Sequence, residues 1–209
     1  MKNLLFLIFW IFSPAILLAS EFPLLFDVTD VASDDVLNVR EDPSPNSEIW
    51  GTIAFNERNV EVIGLSEDRK WGQINSGEIS GWVSMRYLSP VPDADWFLSS
   101  AQLRCGGTEP FWDMTMNAPS QGVASFQAMV EETPRVYSID WHGGQIARMN
   151  NVIGLGGRNT DGPNGFSAVI RRTDCHDGMS DMSFGLAIDL FLHGDGAPEG
   201  YEGCCSIRP

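Results

Sequence analysis

From residue 24 to residue 90 the chain alternates apolar and polar positions in short runs broken by turn residues. Leu37-Asn38-Val39-Arg40 alternates, and the Pro/Ser-rich stretch Glu41–Ser47 then reads as a loop. Ile49–Ile53, Val60–Leu65, Trp71–Ile74, Gly81–Val83 and Arg86–Leu88 follow as further strand-like runs. No segment of this stretch keeps the 3.6-residue repeat of a helix. Several short strands at this spacing predict a small β-barrel. Pro90–Asp95 is a stiff linker, placed at 91–96. Beyond it, over 97–209, the pattern predicts strands at 101–105, 110–116, 122–129, 135–141, 146–153, 165–172, 182–191 and 203–207. Phe111, Asp113 and Thr115 alternate with Trp112, Met114 and Met116, as on a half-buried strand. Turn signals recur about every ten residues, which indicates an antiparallel barrel or sandwich. The fold class expected is therefore all-β: a small barrel followed by a second antiparallel β domain.

Residues 1–20 interrupt this pattern. Lys2 precedes the unbroken apolar run Leu4–Phe12, and the small residues Ser13, Ala15, Ala19 and Ser20 follow. That is the form of a secretory signal peptide, and the run is short for a membrane span, which needs about 20 apolar residues. Export to the periplasm is expected, with no membrane span once the leader is removed. Export changes how the cysteines read: Cys105, Cys175, Cys204 and Cys205 are an even set in an oxidising compartment, which favours disulfides. On a strand Cys204 and Cys205 point to opposite faces, one inward and one outward, so each takes a different partner from Cys105 and Cys175. The chain has 209 residues with 13 Lys+Arg against 28 Asp+Glu, a formal charge of −15. Phosphate binding needs clustered basic residues, so a nucleic-acid partner is not expected.

The first stretch resembles a bacterial SH3-like domain over residues 24–90. The motifs that carry the resemblance are Leu37-Asn38-Val39-Arg40 with its Pro/Ser loop, Gly51 in a strand, Trp71 with Ile74, Gly81-Trp82-Val83, and Tyr87-Leu88. The resemblance implies binding of cell-wall peptides, or a role in packing and targeting. Trp50, Trp71, Trp82 and Tyr87 are many large aromatics for so small a domain. They either fill its core or, for Trp71, Trp82 and Tyr87, line a groove for a peptide or a sugar ring. The acids Asp27, Asp30, Asp34 and Asp35 read as a solvated loop, without the spacing of a calcium loop.

In the second stretch three motifs stand out: Cys105-Gly106-Gly107-Thr108-Glu109-Pro110-Phe111-Trp112, Cys175-His176-Asp177-Gly178-Met179-Ser180-Asp181, and Gly203-Cys204-Cys205. Together they resemble a family of uncharacterised bacterial envelope proteins, and are similar to the small β domains of the HslJ-like group. Gly106-Gly107 allows positive φ in a turn or bulge, Pro110 pushes Glu109 to extended geometry, and Asp177-Gly178 is a turn signal. Thr108 and Glu109 are placed to hydrogen-bond the Asp177–Ser180 turn. Two readings remain for this corner: a disulfide-locked structural element, or a polar pocket formed by Thr108, Glu109, Trp112, Asp177 and Ser180.

Catalytic patterns are incomplete. Gly178-Met179-Ser180-Asp181-Met182 lacks the final glycine of a nucleophile elbow, and Cys175-His176-Asp177 are consecutive residues that alternate faces on a strand. His142, His176 and His193 have no ligand spacing, and no C-x-x-C pair is present. The glycine-rich run Gly154–Gly162 lacks the Lys-Ser/Thr ending of a phosphate loop and reads as a long hairpin loop; its Asn159, Asp161 and Asn164 offer oxygens to calcium only weakly. No cofactor and no metal are expected. The expectation is a non-enzymatic envelope protein that binds cell-wall peptide, peptidoglycan or an envelope protein, with a ligand or partner for the second domain left open. The alternative from a different class is a cell-wall hydrolase, or its regulator or inhibitor, anchored by the SH3-like module.

Overall fold

The computed structural model describes residues 22–92, 96, 102–117, 122–146, 148–159 and 162–208; the expected leader, residues 93–95 of the expected linker and Asp161 lie outside them. Among the described residues every regular element is a strand apart from one 3₁₀ turn at Met85–Tyr87. The first half is built from β1 (Leu24–Val28), β2 (Val36–Arg40), β3 (Ile49–Ala54), β4 (Val60–Val62), β5 (Gly64–Leu65), β6 (Trp71–Ser76), β7 (Ile79–Ser84) and β8 (Leu88–Pro90). β1 is the middle of a three-stranded sheet with β4 and β8, and the other five form a second sheet in the order β3-β2-β7-β6-β5. Leu37 and Val39 alternate inward as their spacing requires, and meet Phe26, Val28, Val62, Ile74, Val83 and Leu88 in one core. This core is mostly aliphatic. Of the four aromatics read as core or groove, none is wholly buried: Trp50 is exposed, Trp71 and Trp82 are half-buried outside the core cluster, and Tyr87 is half-buried and packs against it. The reason is the register, which puts Trp71 opposite Ser84 and Trp82 opposite Gln73 on the outer face.

The second half is a meander that closes on itself. Its strands are β9 (Gln102–Thr108), β10 (Phe111–Asn117), β11 (Val123–Ala128), β12 (Arg135–Gln145), β13 (Arg148–Asn159), β14 (Gly165–Cys175), β15 (Phe184–His193) and β16 (Glu199–Arg208). Each pairs antiparallel with the next, and β16 pairs with β9, which makes an eight-stranded closed barrel and settles barrel over sandwich. Eight strands give an interior that side chains can fill. Met114, Met116, Phe126, Tyr137, Leu155, Phe166, Ile170, Leu186, Ile188 and Leu190 fill it. Closure removes both sheet edges.

Two disulfides fasten the barrel. Cys105–Cys205 joins directly paired residues across the β9–β16 seam, inside the core. Cys175–Cys204 joins β14 to β16 across β15. Cys204 and Cys205 thus take different partners, as strand alternation demands. Cys204 is nonetheless buried rather than open to solvent, with its sulfur bonded to Cys175 of the segment that leaves β14.

The glycine-rich run at 154–157 is not a loop but the middle of β13. Trp141, half exposed on the neighbouring β12, lies across it: a Cβ on Gly156 would sit 2.6 Å from the indole Nε1, and one on Gly154 3.2 Å from the ring. At Gly157 a Cβ would come within 1.8 Å of the Ser138 carbonyl, beside the irregularity between Ile139 and Trp141. Glycine here serves close approach and a bulge.

The two halves are in contact. Leu25 from β1 belongs to the barrel's core cluster, as does Trp96, and Val91 packs on it. Pro23 packs on Gly185, where a Cβ would lie 2.8 Å from the proline ring. Ser80 N–H donates to the Asp181 carbonyl (3.1 Å), Ser183 N–H to the Ser80 hydroxyl (2.7 Å), and Asn75 Nδ2 to the Ser183 carbonyl (2.8 Å). A parallel bridge pairs Ile79 with Asp181.

Candidate functional site

Trp71 opens β6 and Tyr87 ends the 3₁₀ turn, and the loop leading into β2 brings Asp30 and Asp35 up to them. The loop is tied down locally. Thr29 N–H donates to the Tyr87 carbonyl (2.9 Å), and Val36 N–H to the Asp35 carboxylate (2.8 Å). Trp71 N–H donates to the Ser66 hydroxyl (3.1 Å). Between these parts lies a cleft of about 540 Å³. Its lining holds two aromatic rings, Trp71 and Tyr87, two carboxylates, Asp30 and Asp35, and two guanidiniums, Arg40 and Arg86. Arg86 sits over the Tyr87 ring at 5.6 Å, a cation–π distance, and Arg40 donates to the Ser47 carbonyl (2.6 Å). Half-exposed rings beside both signs of charge suit a ligand with apolar surface and charges of its own, such as a peptide. Of the three groove residues expected from sequence, Trp71 and Tyr87 line the cleft and Trp82 does not. Arg40, Arg86, Asp30 and Asp35 were not singled out as lining. Strand alternation in Val36–Arg40 put Arg40 on the outer face, which was the available signal.

Asp27, read from sequence with the loop acids, lies in β1 and meets Arg58 and Asn59 ahead of β4. Its carboxylate is held below the ordinary range chiefly by the Asn59 N–H, helped by Arg58 (2.5 Å).

The second candidate is the corner formed by the two motifs. Gly106 and Gly107 do not take positive φ: both lie in β9, and among the described residues the positive-φ glycines are Gly77, Gly122 and Gly178. Their smallness is what is used. A Cβ on Gly107 would sit 2.4 Å from Trp112 Nε1, and one on Gly203 2.9 Å from the same indole. Trp112 therefore turns into the barrel, where it stacks with Phe126 at 5.9 Å, and its Nε1 donates to the Glu202 carbonyl (3.2 Å). Its ring belongs to the core.

Thr108 donates its hydroxyl to the Asp177 carbonyl (2.8 Å), as the motif reading expected; Glu109 makes no such bond and is exposed. Asp177 closes its own turn, accepting the N–H groups of Met179 and Ser180 and the Ser180 hydroxyl (2.8 Å). Burial raises the Asp177 carboxyl, but these donors outweigh it and hold the group below its usual value. Ser180 is occupied by that turn. Thr108, Glu109 and Asp177 do line an open cleft of about 650 Å³, with Cys175, His176 and Glu202; Trp112 meets Thr108 and Asp177 in a neighbouring cleft of about 330 Å³, and Ser180 lines neither. His142, His176 and His193 are all exposed, and no group of three metal-ligating side chains occurs among the described residues.

Sequence reading missed Glu61. In Val60-Glu61-Val62 it occupies an ordinary outward position, and only the packing of the barrel against β4 half-buries it. Its carboxylate accepts the Ile207 N–H (3.0 Å). Burial pushes it up to about 7, against the pull of that N–H and of Arg208.

Residues 35–89 match the family model of the bacterial SH3 domain. β1, which lies before the matched residues, is paired with β4 and β8 of the same body. Such domains are often cell-wall or peptidoglycan-binding modules. The disulfides and this domain are compatible with an extracytoplasmic location. No helix among the described residues is long and apolar enough to cross a membrane. No curated protein and no solved structure matches the chain.

Proposed function

We propose that this is an exported, periplasmic, non-enzymatic protein of the bacterial cell envelope, whose SH3-like domain holds a peptide of the cell wall in the cleft between Trp71 and Tyr87. The observation that carries the reading is the pairing of the family match with aromatic rings left half-exposed in a charged cleft. A core that is complete without Trp71 and Trp82 supports it, because neither ring is needed to fill the barrel. The second domain contributes a rigid, filled barrel and resembles the small envelope β domains; its own surface binds a ligand or envelope partner. Its Ser180 is committed to the Asp177 turn, which supports a binding role over a catalytic one.

The test is co-sedimentation of the purified protein with isolated peptidoglycan. The full chain should pellet with the wall, and Trp71→Ala should weaken binding about 5- to 150-fold while leaving the fold intact, since removing one ring contact costs about 1–3 kcal/mol. With a net charge of −15 the protein is not drawn to anionic wall polymers by charge alone, so binding should persist in high salt. Absence of the wild-type protein from the pellet, or binding that survives Trp71→Ala and Tyr87→Ala unchanged, refutes the cleft as the wall site.

A further inference from the structure

The two disulfides are placed differently. Both sulfurs of Cys105–Cys205 lie in the barrel core, wholly buried. Cys175–Cys204 reaches the surface at one end: Cys204 is buried, but Cys175 is half-buried and lines the open cleft of about 650 Å³ beside exposed His176. The chain that follows Cys175 is a strap of eight residues, 176–183, lacking sheet pairing with the barrel until β15 starts at Phe184. Its near end is pinned by the disulfide and by the Thr108 bond to Asp177. Its far end carries the polar contacts to the SH3-like sheet. Asp181 pairs with Ile79 and accepts from Ser80, and Ser183 engages Asn75, Ser80 and Gln73.

We propose that Cys175–Cys204 is a reducible clasp, whose redox state sets how firmly the strap holds the SH3-like domain against the barrel. The reductant is a dithiol, either a small molecule or a protein with a solvent-facing dithiol. Its thiolate attacks the Cys175 sulfur from the cleft. The S–S bond breaks, a mixed disulfide forms on Cys175, and Cys204 leaves as a thiolate that takes up a proton. The second thiol of the reductant then displaces Cys175. Two electrons pass to the protein, which gains two thiols, and the reductant becomes a disulfide. Access decides which bond reacts: a buried disulfide waits for unfolding, whereas one at a cleft wall does not. Opening the clasp leaves Cys105–Cys205 and barrel closure intact, and frees the strap to exchange with solvent.

The experiment treats the full chain with a graded excess of dithiothreitol under native conditions, traps thiols with iodoacetamide, and maps them by mass spectrometry. In parallel, amide hydrogen exchange is followed at Ser80 and Ser183. Cys175 and Cys204 should be alkylated while Cys105 and Cys205 remain joined, and exchange at both serines should rise at least about tenfold with barrel amides such as Met114 unchanged. The double variant Cys175→Ala, Cys204→Ala should show the same faster exchange without reductant. The proposal is overturned if both disulfides open together, or if selective opening, or the double variant, leaves Ser80 and Ser183 as protected as before.

Discussion

Glu61→Gln should make the protein more stable at alkaline pH and leave it unchanged in acid. Glu61 sits where β4 meets the end of β16, and its oxygen accepts the Ile207 N–H at 3.0 Å. Burial raises its pKa from 4.5 to about 7, so the folded protein binds this proton more tightly than the unfolded chain. The sign follows from linkage: the stabilising contribution is complete below about 4.5, and is lost as pH rises through about 7. A difference of this size corresponds to about 3 kcal/mol at most; because the side chain keeps some surface in water, about 1–3 kcal/mol is expected. Glutamine is neutral at every pH, and its carbonyl oxygen still accepts from Ile207. Urea unfolding of both proteins between pH 4 and pH 8.5 checks this. The two should be about equally stable at pH 4, and the variant should gain about 1–3 kcal/mol by pH 8.5. Other titrating groups are common to both proteins and cancel in the difference. Parallel stability curves across the range would refute the burial argument.

Other consequences follow from the same geometry. Trp112→Ala empties the space that Gly107 and Gly203 are small enough to admit, and should cost about 3–5 kcal/mol in denaturant unfolding. Gly157→Ala drives a methyl group into the Ser138 carbonyl, and should cost about 1–3 kcal/mol or more, whereas Gly196→Ala, which meets nothing within 4 Å, should be near neutral in the same assay. Asp177 behaves opposite to Glu61. Its carboxyl is held below the usual value, so its contribution is present above the ordinary aspartate pKa and is lost as pH falls through the depressed one; the protection of the Met179 and Ser180 amides, relative to their intrinsic exchange rates at each pH, should fall in acid.

A period-two alternation is a local property, and it was legible wherever one face of a strand is buried. Leu37 and Val39, or Trp112, Met114 and Met116, announce an inward face whatever pairs beside them. The same alternation separated Cys204 from Cys205 and sent them to different partners. The SH3-like stretch was readable because its motifs fall in order along one short segment. Pairing, closure and docking depend on residues far apart in the chain, and these only the folded molecule decided. Gly154–Gly157 looked like a loop because glycine suits loops; it is a strand because Trp141, on the neighbouring strand, covers it. Trp112 stands in a motif with Thr108 and Glu109 that reads as a polar pocket; the barrel turns its ring inward, although the residue still borders a cleft with Thr108 and Asp177. Glu61 carried no signal at all. Its burial arises from the end of β16, 146 residues away in the chain, and no local pattern records a contact made at that distance.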